Sequence, residues 1–133
     1  MLKRLRQLAV AGAHFAFGST LSSRTFAPFL RNLKAQGYSV AIYYFALTNA
    51  QLAVRRVRLR VALGGNHVPT DVVERRFARS ISNFFTLYAP IATEWTLLNN
   101  SNAMLARPVA IFSANQLIVT EAPTWQKLQK QIS

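Results

Sequence analysis

The run of residues 38–47, YSVAIYYFAL, constrains the fold more than any other part of the sequence. Nearly all of its residues are β-branched, aromatic or otherwise apolar, and polar residues do not alternate with them. A strand of this kind is buried on both faces, as in a parallel sheet that is covered by helices on either side. The run therefore predicts an α/β fold with this strand inside the molecule.

Helical and strand patterns alternate around this run. Apolar residues at helical spacing, with caps before them and glycines after them, predict helices over residues 2–11, from Ser22 or Ser23 to Gln36, from Thr48 or Asn49 to Gly64, from Thr70 to the aromatic residues ahead of Pro90, and over 125–132. Short strands are predicted at residues 15–17, 95–98, 109–112 and 117–120. The order implies one domain, residues 1–133, built as an α/β sandwich with a mostly parallel sheet and a C-terminal β-hairpin.

The charge of the chain is strongly unbalanced. The sequence contains sixteen Lys and Arg but four Asp and Glu, which gives a net charge of +12, and the first acidic residue is Asp71. Twelve of the cations are Arg, whose planar fork donates two parallel hydrogen bonds to a phosphate, whereas Lys acts as a point charge. The composition therefore favours phosphate binding over a merely solvated basic surface.

Several classes of protein are excluded by what the sequence lacks. An apolar fraction of 51% is too high for a disordered polycation. The absence of cysteine excludes disulfides, Cys-based zinc sites and thiol nucleophiles, and permits the cytoplasmic location that we expect. The sequence has no G-x-x-x-x-G-K-[ST] motif, no separated pair of carboxylates for glycoside hydrolysis, no histidine cluster and no run long enough to span a membrane.

The segment 55–79 is the most informative for function. It carries seven Arg in two predicted helices with a Gly-Gly and Pro hinge between them. Such a segment suits a lid that closes over nucleotide phosphates, and it equally suits a solvated basic helix face with a turn. Spacing alone leaves these two interpretations open.

Several motifs, spread over nearly the whole chain, resemble those of one protein family. Residues 56–77, RVRLRVALGGNHVPTDVVERRF, resemble the lid of the zeta-toxin-like P-loop kinases, approximately R-V-x-x-R-V-x-x-G-G-H-x-V-P followed by R-R-[YF]. Residues 15–24, FAFGSTLSSR, are similar to that family's F-A-F-E-T-T-L-S-G-R, and residues 98–101, LNNS, to its Y-D-N-S. Residues 36–40 resemble the segment that leads into a strand of this family, and residues 108–128 resemble the family's C-terminal hairpin and helix. The resemblance implies a P-loop NTPase-like three-layer sandwich.

The resemblance also implies an activity. Members of this family are taken to be ATP-dependent phosphotransferases, and the zeta toxins phosphorylate a UDP-amino sugar. By position, Arg60 and Arg76 would contact the ATP phosphates as catalytic residues, with Arg75 as a weaker cofactor-binding candidate, and Thr20 and Arg24 would lie near the phosphate acceptor. ATP with Mg²⁺, an unidentified small-molecule acceptor and an antitoxin-like protein are the implied cofactor and partners.

The departures from the family pattern predict an inactive chain. The first strand, the Walker A loop and an early catalytic Asp are missing ahead of residue 2, which implies an N-terminally truncated version. Gly18 replaces a Glu, Asn66 replaces the lid His although His67 follows it, and Asn99 replaces an Asp. Losing one preorganised donor costs about 3–4 kcal/mol in the transition state. Losing all the phosphate-binding donors of the Walker A loop should therefore abolish phosphoryl transfer.

The missing strand would be central in a P-loop sheet. Its loss predicts unpaired edges on both sides of the gap, which the chain would close by pairing the remaining strands, cover by self-association, or leave as a source of aggregation. Two other functions stay open at this point. One is a basic nucleic-acid-binding module that uses residues 55–79, and the other is an interaction fragment that completes its sheet with a separate P-loop segment.

Overall fold

A computed structural model describes residues 2–102 and 105–132. The helices in these ranges are α1 (Leu2–Val10), α2 (Phe26–Ala35), α3 (Ala50–Ala62), α4 (Thr70–Asn83), α5 (Ala89–Ile91) and α6 (Ala122–Gln129), and a π-helical turn, Phe84–Tyr88, joins α4 to α5. The strands are β1 (Ala41–Ala46), β2 (Glu94–Asn99), β3 (Arg107–Ser113) and β4 (Gln116–Val119). The predicted α/β class is confirmed.

The sheet is mixed, with the strand order β1-β2-β3-β4. β1 and β2 are parallel, whereas β2–β3 and β3–β4 are antiparallel. The predicted C-terminal hairpin is confirmed as β3–β4, with Ala114 and Asn115 at φ 51° and 60° in its turn. The prediction of a mostly parallel sheet was wrong, because the link between β2 and β3 is shorter than the dozen or so residues that a parallel crossover needs.

The core consists of two apolar clusters that meet at the π-helical turn. One joins α1, α2 and α5 and includes Val40, and the other lies between the sheet, α4 and α6. In the second cluster Phe84 is fully buried, stacks on Tyr44 with ring centroids 4.6 Å apart, and contacts the edge of Trp95. The helices thereby cover the face of the sheet that carries Ile42 and Tyr44.

The other face of the sheet is uncovered in the described residues. β1 is an edge strand that is much shorter than the predicted 38–47, and Tyr43 and Phe45 are 65% and 54% exposed. Neither residue belongs to an apolar cluster. The prediction of a strand buried on both faces was therefore wrong, and the described sheet has one helical layer instead of the two that a three-layer sandwich requires.

The predicted strand at residues 15–17 is also wrong, since this segment has no regular structure. Its backbone N–H and C=O groups have no hydrogen-bond partner among the described residues. A strand does not form without a neighbour to pair with, so its apolar aromatic sequence is insufficient here. Phe15 and Phe17 instead pack against the first cluster.

No gap separates β1 from β2 in the described sheet. β1 and β2 pair directly along their whole length, from Ala41 opposite Glu94 to Ala46 opposite Asn99. The described sheet ends on one side at β1, whose outer edge has no neighbouring strand. The three predicted consequences of a lost strand, which are re-pairing, self-association and aggregation, stay predictions.

Candidate functional site

A groove opens along the outer edge of β1 in the described residues. Its volume is about 1570 Å³, which exceeds the ~300–1,000 Å³ of a typical small-molecule site. It is lined by residues 14–21, by residues 38–45 in and before β1, and by side chains from α3, α4 and the turn between them. This groove brings together segments that are far apart in the sequence.

The turn between α3 and α4 is set by local sequence signals. The predicted cap at Asn49 is confirmed, because its side chain accepts a hydrogen bond from the backbone N–H of Leu52 at 2.9 Å. The predicted stop at Gly64 is confirmed by a φ of 99° just after α3. A Cβ on Gly65 would lie 2.8 Å from the carbonyl oxygen of Arg60, so only glycine fits this close turn.

Three arginines from these helices line the groove, and one of them is structural. Arg56 donates hydrogen bonds from one guanidinium nitrogen to the carbonyls of Asn100 and Ser101, at 2.5 and 3.2 Å. This contact ties α3 to the end of β2. Arg56 is therefore less available for a ligand than its neighbour one turn further along the helix.

Arg60 on α3 and Arg76 on α4 are available for a ligand. Both line the groove and are exposed, and within the described ranges neither guanidinium has a hydrogen-bond or ion-pair partner. The groove lining contains no Asp or Glu, while Asp71 is occupied by a contact of 3.5 Å to Arg75 on the outer surface. Unopposed cations in a concave site attract anions, so the groove is suited to phosphate or carboxylate groups.

The structure brings together some of the predicted site residues and leaves others out. Thr20 lines the same groove as Arg60 and Arg76, and its hydroxyl is 2.8 Å from that of Ser22. Arg24 and Arg75 do not line the groove. The predicted lid segment 55–79 therefore contributes Arg56 and Arg60 from α3 and Arg76 from α4, of which Arg60 and Arg76 have no partner in the described residues.

A hydrogen-bonded relay among residues that line the groove was not predicted from the sequence. The Ser80 hydroxyl donates to the carbonyl of Thr20 at 2.5 Å and so accepts from the Tyr44 hydroxyl at 2.7 Å. Burial raises the pKa of Tyr44 to about 12, although the hydrogen bond to Ser80 partly opposes this rise. The relay anchors the segment that carries Thr20 to β1 and α4.

Asn83 and Tyr88 provide two further anchors for this segment. Asn83 donates to the carbonyl of Leu21 at 2.8 Å, and the Tyr88 hydroxyl donates to the carbonyl of Ser23 at 2.6 Å. Burial raises the pKa of Tyr88. A signal for these anchors is present in the sequence as polar residues on the inward side of α4 and the following turn, but the partner carbonyls are about 60 residues away.

The positions that depart from the kinase pattern have defined places. Gly18 and Asn66 line the groove, whereas His67 does not. The side-chain oxygen of Asn99 accepts a hydrogen bond from the backbone N–H of Ser101 at 3.0 Å. In the described part of the chain no three His, Cys, Asp or Glu side chains lie close enough to hold a metal ion. Mg²⁺, which prefers oxygen ligands, has no carboxylate to bind in the groove.

No protein-family model, curated protein or solved structure matches the chain. The kinase resemblance thus depends on the motif residues themselves. Within residues 2–102 and 105–132, no helix combines the length and the apolar character that a membrane crossing requires.

Proposed function

We propose that this chain binds the phosphates of ATP in the groove and forms the lid and acceptor half of a zeta-toxin-like phosphotransferase. The observation that carries the proposal is the pair Arg60 and Arg76. They come from two different helices, line one groove without a carboxylate in it, and have no partner in the described structure. A guanidinium without a partner has its full set of donors for a phosphate.

The proposed roles follow from position in the groove. Arg60 and Arg76 bind the phosphates from the lid side, and Thr20 offers a hydroxyl on the opposite segment for the acceptor. Arg24 and Arg75 do not line the groove, so their predicted roles have no support from its geometry. A P-loop NTPase-like parent fold and a cytoplasmic location belong to the same proposal.

Binding and turnover are separate in this proposal. The 133-residue sequence contains no Walker A motif, and the groove offers no carboxylate to act as a base or to hold Mg²⁺. Phosphoryl transfer depends on preorganised donors and metal ions around the transferred group. We therefore expect the chain alone to bind ATP without hydrolysing it or phosphorylating an acceptor.

The test is isothermal titration calorimetry with ATP, inorganic tripolyphosphate and adenosine, together with an assay for ADP release. The proposal expects ATP and tripolyphosphate to bind and adenosine not to bind, because the contacts are with phosphates. Adenosine binding as tightly as ATP, or no binding of either phosphate compound, would overturn it. ADP release that is lost in Arg76→Ala would contradict the claim of inactivity.

A second candidate is the interaction fragment that completes its sheet with another segment. The open outer edge of β1, which lies along the groove, favours it.

A further inference from the structure

We propose that the outer edge of β1 is a docking site for an extended acidic segment of a partner polypeptide, which adds to the sheet as a further strand. The groove has two features that a nucleotide does not need. Its volume of about 1570 Å³ is larger than a small-molecule site, and one wall is a free strand edge.

The backbone of β1 has a defined set of free groups at this edge. The carbonyls of Val40 and Ala46 accept hydrogen bonds from residues in and next to β2. Because the groups of a parallel strand alternate between its two sides, the even-numbered residues of β1 face β2. Ala41, Tyr43 and Phe45 therefore direct their N–H and C=O groups to the outer edge, where no described residue bonds them.

A second unpaired segment lines the same groove. Residues 15–17 have a strand-like sequence, and their backbone groups also lack partners among the described residues. An added strand would form its main-chain hydrogen bonds with β1, and residues 15–17 border the same groove. Main-chain hydrogen bonds of this kind give affinity in strand addition, and side chains at alternate positions give specificity.

The charge of the groove defines the chemistry of the partner. Arg60 and Arg76 have no described partner, and no Asp or Glu lines the groove. A strand with carboxylates beyond its apolar part would place anions next to these arginines, which stand on the helices that follow β1. An acidic partner segment is therefore favoured over a second copy of this chain, whose net charge of +12 would be repelled.

The experiment uses synthetic peptides and the whole chain. The first peptide alternates valine and threonine over the six-residue length of β1 and ends in glutamates, and a matched peptide ends in lysines. Two further glutamate peptides carry N-methyl groups on one or the other set of alternate residues. Fluorescence anisotropy measures the binding of each peptide. A second series repeats the peptides with the order of their residues reversed.

Strand addition predicts that the glutamate peptide binds and the lysine peptide does not. It also predicts that N-methylation of one set weakens binding by about tenfold or more, whereas N-methylation of the other set leaves binding unchanged. The reason is that a strand paired with β1 donates to it from every second N–H group. No glutamate-peptide binding, or equal loss with both methylated sets, would overturn the proposal.

A protein variant gives an independent check. Tyr43→Pro removes an N–H group that points to the outer edge, a position where edge strands tolerate proline, whereas Tyr43→Ala keeps that group. We expect Tyr43→Pro to lose peptide binding and Tyr43→Ala to keep it. A chain that dimerises through this edge and excludes the peptide would make a second copy the occupant and overturn the proposal.

The same samples separate this proposal from the nucleotide proposal. ATP binding that survives in Tyr43→Pro, with peptide binding lost, supports both. Peptide binding without ATP binding overturns only the proposed function, and ATP binding without peptide binding overturns only the strand addition.

Discussion

Tyr43 and Tyr44 are neighbours in β1, yet they belong to two different regions of the molecule. Tyr44 stacks on Phe84, shares a hydrogen bond with Ser80 and has its pKa raised by burial, whereas Tyr43 is 65% exposed. The period of two in a strand sends them to opposite faces. One face is closed by helices and supplies stability, and the other face and edge are open.

The two regions also differ in charge. The closed region is apolar and aromatic, with no ionised side chain in its two clusters. The open region has arginines without acids beside a free strand edge. Buried core residues and the exposed arginines of the groove are thus different sets, and variants in the two sets should separate stability from the proposed binding.

The largest expected effect is on the closed side. Phe84→Ala removes a fully buried ring and should lower the free energy of unfolding by about 3–5 kcal/mol. Phe45→Ala removes a ring of the same kind that is 54% exposed, and should change it by about 0.5 kcal/mol or less. Urea denaturation checks both values. Equal losses would contradict the division into a closed and an open region.

The next effect is a dependence of stability on pH. The pKa of Tyr44 is raised in the folded chain to about 12, so its neutral form is favoured there. Its contribution is fully present below pH 10 and is lost as the pH rises through 10 to 12, by about 2 kcal/mol. Thermal unfolding across this range should show a smaller fall for Tyr44→Phe than for the exposed control Tyr43→Phe. Identical slopes would contradict the assigned burial.

A smaller effect is expected at the turn between α3 and α4. Gly65→Ala would bring a Cβ within 2.8 Å of the Arg60 carbonyl oxygen, so we expect a loss of about 1–2 kcal/mol and weaker ATP binding as Arg60 shifts. Gly18→Ala is the control, because its added Cβ meets nothing within 4 Å. Calorimetric titration and urea denaturation of both variants test this, and a harmless Gly65→Ala would contradict the close turn.

The parts of the fold that the sequence predicted correctly are determined by neighbouring residues. Asn49 caps α3 through a residue three positions away, Gly64 ends it with a positive φ, and the β3–β4 hairpin has a two-residue turn at Ala114 and Asn115. Each of these signals acts within a few residues. Local chemistry was therefore sufficient to locate them.

The wrong predictions concern partners that are distant in the sequence. The sequence of residues 15–17 is typical of a strand, but this segment has no pairing strand among the described residues, and the apolar run 38–47 contains no information on which face the helices cover. The relay from Tyr44 through Ser80 to the carbonyl of Thr20 spans 60 residues between its last two members. In the candidate site, the kinase resemblance supplied Arg60 and Arg76 as candidates, and only the fold showed that these two line the groove whereas Arg24 and Arg75 do not.

The measurement that tests the central claim most directly compares two double variants with the same net charge. Arg60→Gln with Arg76→Gln removes the two arginines of the groove, and Arg58→Gln with Arg79→Gln removes one exposed arginine from each of the same helices outside it. ATP affinity is measured by calorimetry for both.

We expect the groove pair to weaken ATP binding by about tenfold or more and the outer pair to leave it within about twofold, because the proposal assigns the phosphate contacts to the groove pair alone. Equal losses in both variants, with binding of duplex DNA that falls steeply with salt, would instead indicate a general polyanion surface and contradict the account.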